Sequence, residues 1–359
     1  MWSVRPKETT LRFAPARDRR SGGCDSGERG PALTERPKDE LRVFAGSGSK
    51  QIVQQICKHL GIQPGQAEAI RFSDDNTFVR VLENVRGKDV FIVQTLSPPV
   101  NARFMELLFW IDAFHRASAR EVTAVIPYFS YAKGDKKDEP RVSIRARVCA
   151  DCLEAVGVNR VLTMDLHAPQ IQGFFRVPVD HLLAAQALVE EAKKLVDNNW
   201  VVVSPDAGYA KMARTHARLL NNAWFAMAEK IRQGHDENPR IDYIIGEVKG
   251  KRALIVDDFT TSGGTLIAVA ERLMEEGTTE VYAAVSHGAL SPGAADKIAR
   301  SPLKRLFITD TIEHDSKTLP ANVTVVSVAD LFAEAIYSIF NRTSVSRLFP
   351  DDAPIPDDE

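Results

Sequence analysis

A chain of 359 residues with 44% hydrophobic content can bury a sizeable core, and at roughly 150 residues per domain it has room for two domains. Its 46 basic and 48 acidic residues leave a net charge of -2, which excludes any general attraction to nucleic acid or to an anionic membrane surface. No apolar run approaches the roughly 18 residues of a spanning helix, and Met1-Trp-Ser-Val-Arg5 has no apolar signal core, so a soluble, cytoplasmic protein is expected.

Residues 1–40 are rich in Arg, Gly, Ser and Pro and carry almost no apolar periodicity. They are expected to form a disordered leader, because so little apolar surface cannot offset the entropy of ordering the chain. Short apolar strands then alternate with helical stretches. Strands are predicted at Leu41–Ala45, Val90–Gln94, Val122–Pro127 and Val161–Asp165, and again at Val201–Ser204, Leu254–Asp257, Val281–Ser286, Leu306–Thr309 and Val323–Val328. Apolar residues three and four apart predict helices at Phe104–Ala117 and Ala268–Glu275, among others. This alternation implies an α/β protein with mainly parallel sheets covered by helices, and it occurs twice. The predicted domains are 41–184 and 185–348, followed by an acidic tail over 349–359.

Four cysteines make no disulfide scaffold in a chain of this size. Cys149 and Cys152 form a Cys-x-x-Cys that could be redox-active or half of a zinc site. Because the segment reads as the inner face of a helix and no second pair is available, both are expected to be buried apolar side chains. Cys24 lies in the leader.

The most informative stretch is Ala253-Leu-Ile-Val-Asp-Asp-Phe-Thr-Thr-Ser-Gly-Gly-Thr-Leu266. An apolar strand ends in Asp257 and Asp258, then turns through small residues into a helix expected to open at Thr265. Gly263 and Gly264 let successive backbone N–H groups converge on one anion, and Thr261, Ser262 and Thr265 add hydroxyl donors. A phosphate suits that cradle. The two carboxylates beside it can accept from paired sugar hydroxyls. The same string also fits an ordinary strand-turn-helix link with two solvated Asp. It is neither a Walker A loop nor a dinucleotide fingerprint, since the Gly-Lys-Ser/Thr ending and the glycine spacing are wrong.

Two further strands end in polar groups. In Thr163-Met-Asp-Leu-His167 an extended spacing puts Asp165 and His167 on one side, where they could meet one magnesium-nucleotide complex. A hydrogen-bonded turn histidine fits equally well. Asp206, in Ser204-Pro-Asp, again lies where open sheets place ligands. The basic segment Lys133-Gly134-Asp135-Lys136-Lys137, with Arg141, Arg145 and Arg147, follows another strand. Arg145 and Arg147 could alternatively serve a phosphate or nucleotide effector. Lys230 and Arg232 read by default as a solvated helix end.

The Asp257-Asp258 loop resembles the ribose-phosphate binding loop of the type I phosphoribosyltransferase fold. Taken in order with Asn84-Val-Arg-Gly-Lys-Asp-Val-Phe-Ile-Val-Gln94, Met105-Glu-Leu-Leu108, Ala124-Val-Ile-Pro-Tyr-Phe129, Asp165-Leu-His167, Ser204-Pro-Asp-Ala-Gly208 and Ser286-His-Gly-Ala-Leu-Ser291, it resembles the ribose-phosphate pyrophosphokinase family from about Leu41 to about Leu348. The resemblance implies two tandem type I phosphoribosyltransferase-like domains. It implies a diphosphate transfer from magnesium-ATP to the anomeric hydroxyl of ribose 5-phosphate, Mg2+ as cofactor, and a homo-oligomer, usually a hexamer built from dimers.

Carried over residue by residue, the resemblance makes Asp257 and Asp258 the ribose-hydroxyl acceptors, and Thr261, Ser262, Gly263, Gly264 and Thr265 the 5-phosphate loop. His167 and Asp206 match magnesium-associated positions, with Asp165 and Asp180 supporting. Lys133, Asp135 and His167 fall on the ATP side of the site. Phe72, Asp74 and Asn76 occupy a segment that embraces adenine from a neighbouring subunit. Lys230 and Arg232 match the basic pair of a mobile catalytic loop. Four positions depart from the family pattern: Asp-Gly-Glu reads Asp74-Asp75-Asn76, Arg-Gln reads Lys133-Gly134, and Arg176 and Thr261 each replace an Asp. These departures leave a non-catalytic subunit associated with an active paralogue as one alternative and a phosphoribosyltransferase as another.

Overall fold

A computed structural model describes residues 36–195, 199–231 and 240–349. Most of the predicted leader, Cys24, Arg232 and the tail from 350 lie outside the described residues. From Arg36 onward the chain forms one compact unit. In chain order it runs β1 (Leu41–Ala45), α1 (Lys50–Leu60), β2 (Ala67–Arg71), β3 (Thr77–Val81), β4 (Asp89–Val93), α2 (Val100–Arg116), β5 (Glu121–Ile126), α3 (Arg145–Ala155), β6 (Arg160–Met164) and β7 (Val179–Leu182). It continues through α4 (Ala185–Lys193), β8 (Trp200–Ser204), α5 (Ala210–Leu219), β9 (Trp224–Ile231), β10 (Arg240–Ile245), β11 (Arg252–Thr260), α6 (Gly264–Glu275), β12 (Glu280–Gly288), α7 (Ala294–Arg300), β13 (Leu303–Thr309), β14 (Val323–Val326) and α8 (Ala329–Phe340).

The expected α/β fold is present as two sheets flanked by helices. The first has the order β1-β4-β5-β6-β7 and is parallel throughout. The second has the order β10-β9-β8-β11-β12-β13-β14, with only the β9-β10 pair antiparallel. A separate antiparallel hairpin joins β2 to β3.

Side-chain alternation along the strands sorts the interior into three layers. Val43, Phe91, Val93, Val202, Leu254 and Phe307 all face one central layer, which is filled by Ile52 and Ile56 of α1, Leu188 and Val189 of α4, Ala213 of α5, and Phe332 and Ile336 of α8. Phe44, Val90 and Ile92 face the other way, against Leu107, Trp110 and Ile111 of α2. Val201, Val203 and Ile255 back onto Leu266, Val269 and Leu273 of α6. Both sheets therefore bury a face against the same helices. The chain passes from the first sheet to the second between β7, which ends at Leu182, and β8, which begins at Trp200.

Several boundaries move. Residues 36–40, expected in the leader, are held down: the Arg36 guanidinium reaches Asp89 at 2.6 Å and the Phe340 carbonyl at 2.7 Å. The strand expected to stop at Asp257 runs on to Thr260, because β11 stays paired with β12 through Phe259 and Thr260. Lys230, read as a helix end, lies in strand β9, whose backbone is paired with β8 on one side and β10 on the other. Cys149 is buried as expected, while Cys152 is only partly covered. Among the described residues, no helix is long and apolar enough to cross a membrane.

Candidate functional site

The carboxyl ends of the two sheets meet face to face. Beyond β6 the backbone bends sharply at Asp165, a non-glycine residue at φ 38°, so its carboxylate turns inward. There it accepts from the Ser286 hydroxyl at 2.6 Å and the Ala184 amide at 2.9 Å. Burial pushes its pKa up to about 6 against the opposing pull of those two donors. From the far side, His287 sends Nε2 to the carbonyls of Met164 and Asp165, at 3.2 and 3.3 Å, and its ring packs on Tyr128 at 4.8 Å. Asp165 thus fastens one sheet to the other, its carboxylate bonded across the seam while the residue also forms part of the crevice wall.

His167, two residues on, lines the same crevice. Its Nδ1 lies 2.6 Å from Asp258 Oδ2, across a sequence separation of 91 residues. Hydrogen bonding to Asp258 raises the imidazole pKa, and partial burial opposes that shift. Lys133 comes from a 3-10 turn over Ser130–Gly134 after β5, and its ammonium sits 3.3 Å above the Phe259 ring. Burial lowers its pKa, while Asp258 and Asp257 favour the charged form.

A depression lined by Tyr128, Lys133, His167, Asp258, Phe259 and His287 encloses about 240 Å³, open mouth included. His167 and Asp258 touch across it. Asp258 is buried and faces His167, and only Asp257 keeps partial exposure.

The anion loop follows at once. Gly263 takes a left-handed φ of 77° immediately before α6, a conformation that lets the chain turn from strand to helix in three residues. Ser262 Oγ accepts from the Gly264 amide at 3.3 Å, and the Thr261 carbonyl is held by the Ser291 amide at 3.0 Å. Thr261 is exposed, and Ser262, Gly264 and Thr265 are partly so, at the positive end of the helix. The helix begins at Gly264, one residue earlier than expected.

The remaining predicted residues are dispersed. Asp206 accepts from the Gly208 and Tyr209 amides at 2.9 and 3.2 Å, capping the turn after β8. Asp180 pairs with Arg160 at 2.6 Å. Asp135 lies near enough to His167 to favour its protonated form. Phe72, Asp74 and Asn76 sit at the exposed tip of the β2-β3 hairpin, where Asp74 Oδ1 receives the Asn76 amide at 3.1 Å. Phe259, Tyr128 and His287 fall within the quoted motifs but were given no role in the site. Phe259 adjoins the doublet, but nothing local signals that a lysine 126 positions away will cover its ring.

No group of three or more His, Cys, Asp or Glu side chains among the described residues is gathered for a metal ion. The charge distribution nonetheless suits one. Burial, Asp258 and Asp206 together push the Asp257 carboxyl well above the usual carboxylate range, so acidic groups crowd this end of β11. Magnesium characteristically takes one or two protein carboxylates and fills its other positions with water and substrate phosphate. The neighbouring carboxylates of Asp257 and Asp206 fit that mode.

Known proteins resemble this chain over most of its length. Residues 41–157 match the family model of the N-terminal domain of ribose phosphate pyrophosphokinase, and residues 226–350 match that of the phosphoribosyl synthetase-associated domain. The ribose-phosphate pyrophosphokinase of Caldanaerobacter subterraneus subsp. tengcongensis is 45% identical over 312 residues, covering 87% of this chain and 98% of its own. That of Agrobacterium fabrum is 45% identical over 311 residues, covering 86% and 100%. Among solved structures, phosphoribosylpyrophosphate synthetase from Mycobacterium smegmatis superposes with a TM-score of 0.79 at 36% identity, over 84% of this chain and 99% of that one. Both halves of the chain thus have their counterparts in one group of proteins, and the chain belongs to the ribose-phosphate pyrophosphokinase family.

Proposed function

We propose that this protein transfers diphosphate from magnesium-ATP to the anomeric hydroxyl of ribose 5-phosphate, releasing AMP and phosphoribosyl pyrophosphate. The anomeric oxygen attacks the β-phosphorus, and the bond from that phosphorus to the oxygen bridging it to the α-phosphate breaks. The observation that carries this reading is the joining of an anion loop, residues 261–265, to a carboxylate doublet that faces His167 and Lys133 across one crevice. The loop suits the 5-phosphate, and Asp257 and Asp258 suit the ribose hydroxyls beside it. Mg2+ supplies charge neutralisation on the triphosphate, as phosphoryl transfer requires. His167 and Asp206 hold the nucleotide side of the complex, with Asp165 and Asp180 supporting the strands that carry them. Lys133 and Asp135 line its path.

Phe72, Asp74 and Asn76 are assigned to the adenine of a neighbouring copy in a homo-oligomeric, cytoplasmic enzyme. Phe72, 49% exposed at the hairpin tip, supports a role outside its own subunit. Lys230 and Arg232 are assigned to the closing segment that bears on the transferred group. The test is to incubate the purified protein with magnesium-ATP and ribose 5-phosphate and to assay AMP and phosphoribosyl pyrophosphate. Equal amounts of both products, with rates falling about 10²-fold or more in Lys230→Ala, are expected from loss of a transition-state cation. Product formation no greater than that of the variant would sink the reading.

A further inference from the structure

Gly134 is buried, and its backbone does not adopt a positive φ, so nothing in its conformation requires glycine. Space does. A Cβ built there would lie 2.6 Å from Arg145 Nε, 2.9 Å from Arg145 Cβ and 3.3 Å from Arg145 Cζ, so the arginine side chain lies directly across the glycine α-carbon. Gly134 and Arg145 are therefore a sterically matched pair: the missing side chain at one position is what allows the other to run along the turn that carries Lys133.

The guanidinium brought there has no hydrogen bond or ion pair among the described residues, whereas the neighbouring Arg147 is paired with Asp151 at 2.6 Å. Arg145 also lies close enough to Lys133 to disfavour its ammonium form. Lys133 is a point charge already engaged with the Phe259 ring. Arg145 offers a planar fork of donors suited to two oxygens of one phosphate. Two cations held near each other are a favourable arrangement once a polyphosphate lies against both.

We infer that Arg145, seated across Gly134, is a nucleotide-binding residue that grips the polyphosphate chain of the donor together with Lys133. The inference rests on the function proposed above and adds to it a residue from outside the strand ends, delivered by the first turn of α3. Arg145→Gln keeps much of the side chain's length but removes the charge and the fork. Gly134→Ala leaves the charge and displaces its path.

The experiment measures magnesium-ATP binding by calorimetry and steady-state kinetics on the full chain, with thermal melts to confirm that each variant is folded. Arg145→Gln is expected to weaken magnesium-ATP binding about tenfold, as for loss of a charge-assisted pair, and to leave the KM for ribose 5-phosphate within about twofold. Gly134→Ala should weaken nucleotide binding in the same direction, and adding it to Arg145→Ala should cost less than it does alone, because the contacts at Nε and Cζ are gone and only the one at Cβ remains. Unchanged nucleotide affinity in Arg145→Gln and Arg145→Ala overturns the inference, as does an additive double variant or a wild-type chain that binds no magnesium-ATP. Binding that depends on Arg145 but yields no AMP would overturn the transfer reaction and leave this assignment standing.

Discussion

The contact between His167 and Asp258 is the residue on which the crevice turns: at 2.6 Å it fills space that a substrate must enter, so binding has to replace it with contacts to ligand. Asp258→Asn keeps the shape and removes the charge. The KM for ribose 5-phosphate should rise about tenfold, the cost of one charge-assisted hydrogen bond. The His167 imidazole should titrate at lower pH by NMR once its main cause of elevation is gone. A second residue-scale prediction concerns His216. Burial lowers its pKa to about 4, and its Nδ1 meets the Met212 carbonyl at 2.9 Å. Because the folded value lies below the unfolded value of about 6.5, its contribution is whole above that pH and is lost as pH falls toward 4, at up to about 1.4 kcal/mol per pH unit. Urea unfolding at pH 7 and pH 5 should show a smaller loss on acidification in His216→Gln than in the wild type.

At the scale of elements, the anion loop depends on one backbone angle. Gly263→Ala would place a Cβ at φ 77° and 3.2 Å from Ile298 Cγ1, so it should cost about 1–2 kcal/mol of stability, read by denaturant unfolding, and raise the KM for ribose 5-phosphate. The strands buried on both faces, such as β4, β8 and β11, were legible because their apolar runs are continuous. The β2-β3 hairpin was not, since it forms a sheet of its own with Ile70, Phe72 and Phe78 left exposed. Strand β9 was missed at Lys230 because a charged residue after Ala-Glu suits a helix end just as well, and only pairing with β8 and β10 decides otherwise. The doublet and its loop could be found from local sequence. The partners of each carboxylate could not: Asp165 meets Ser286 and Asp258 meets His167 through contacts that exist only once the two sheets face each other.

At the scale of the whole molecule, the central helical layer is common property. Phe332 and Ile336 of α8 pack in the same cluster as Val43 of β1 and Leu254 of β11, and Arg36 ties the chain's first described residues to the end of α8. Phe332→Ala should therefore destabilise both sheets together by about 3–5 kcal/mol, the usual cost of emptying a buried aromatic site. A single unfolding transition should persist in calorimetry; two separated transitions would contradict a shared core. The same layer limits how the enzyme can open. Sheets anchored to one set of helices are poorly suited to swing like jaws, so admission of substrate falls to the crevice rim. Hydrogen exchange with and without magnesium-ATP should accordingly change over residues 128–135 and 259–265, while α1 and α8 stay as protected as before.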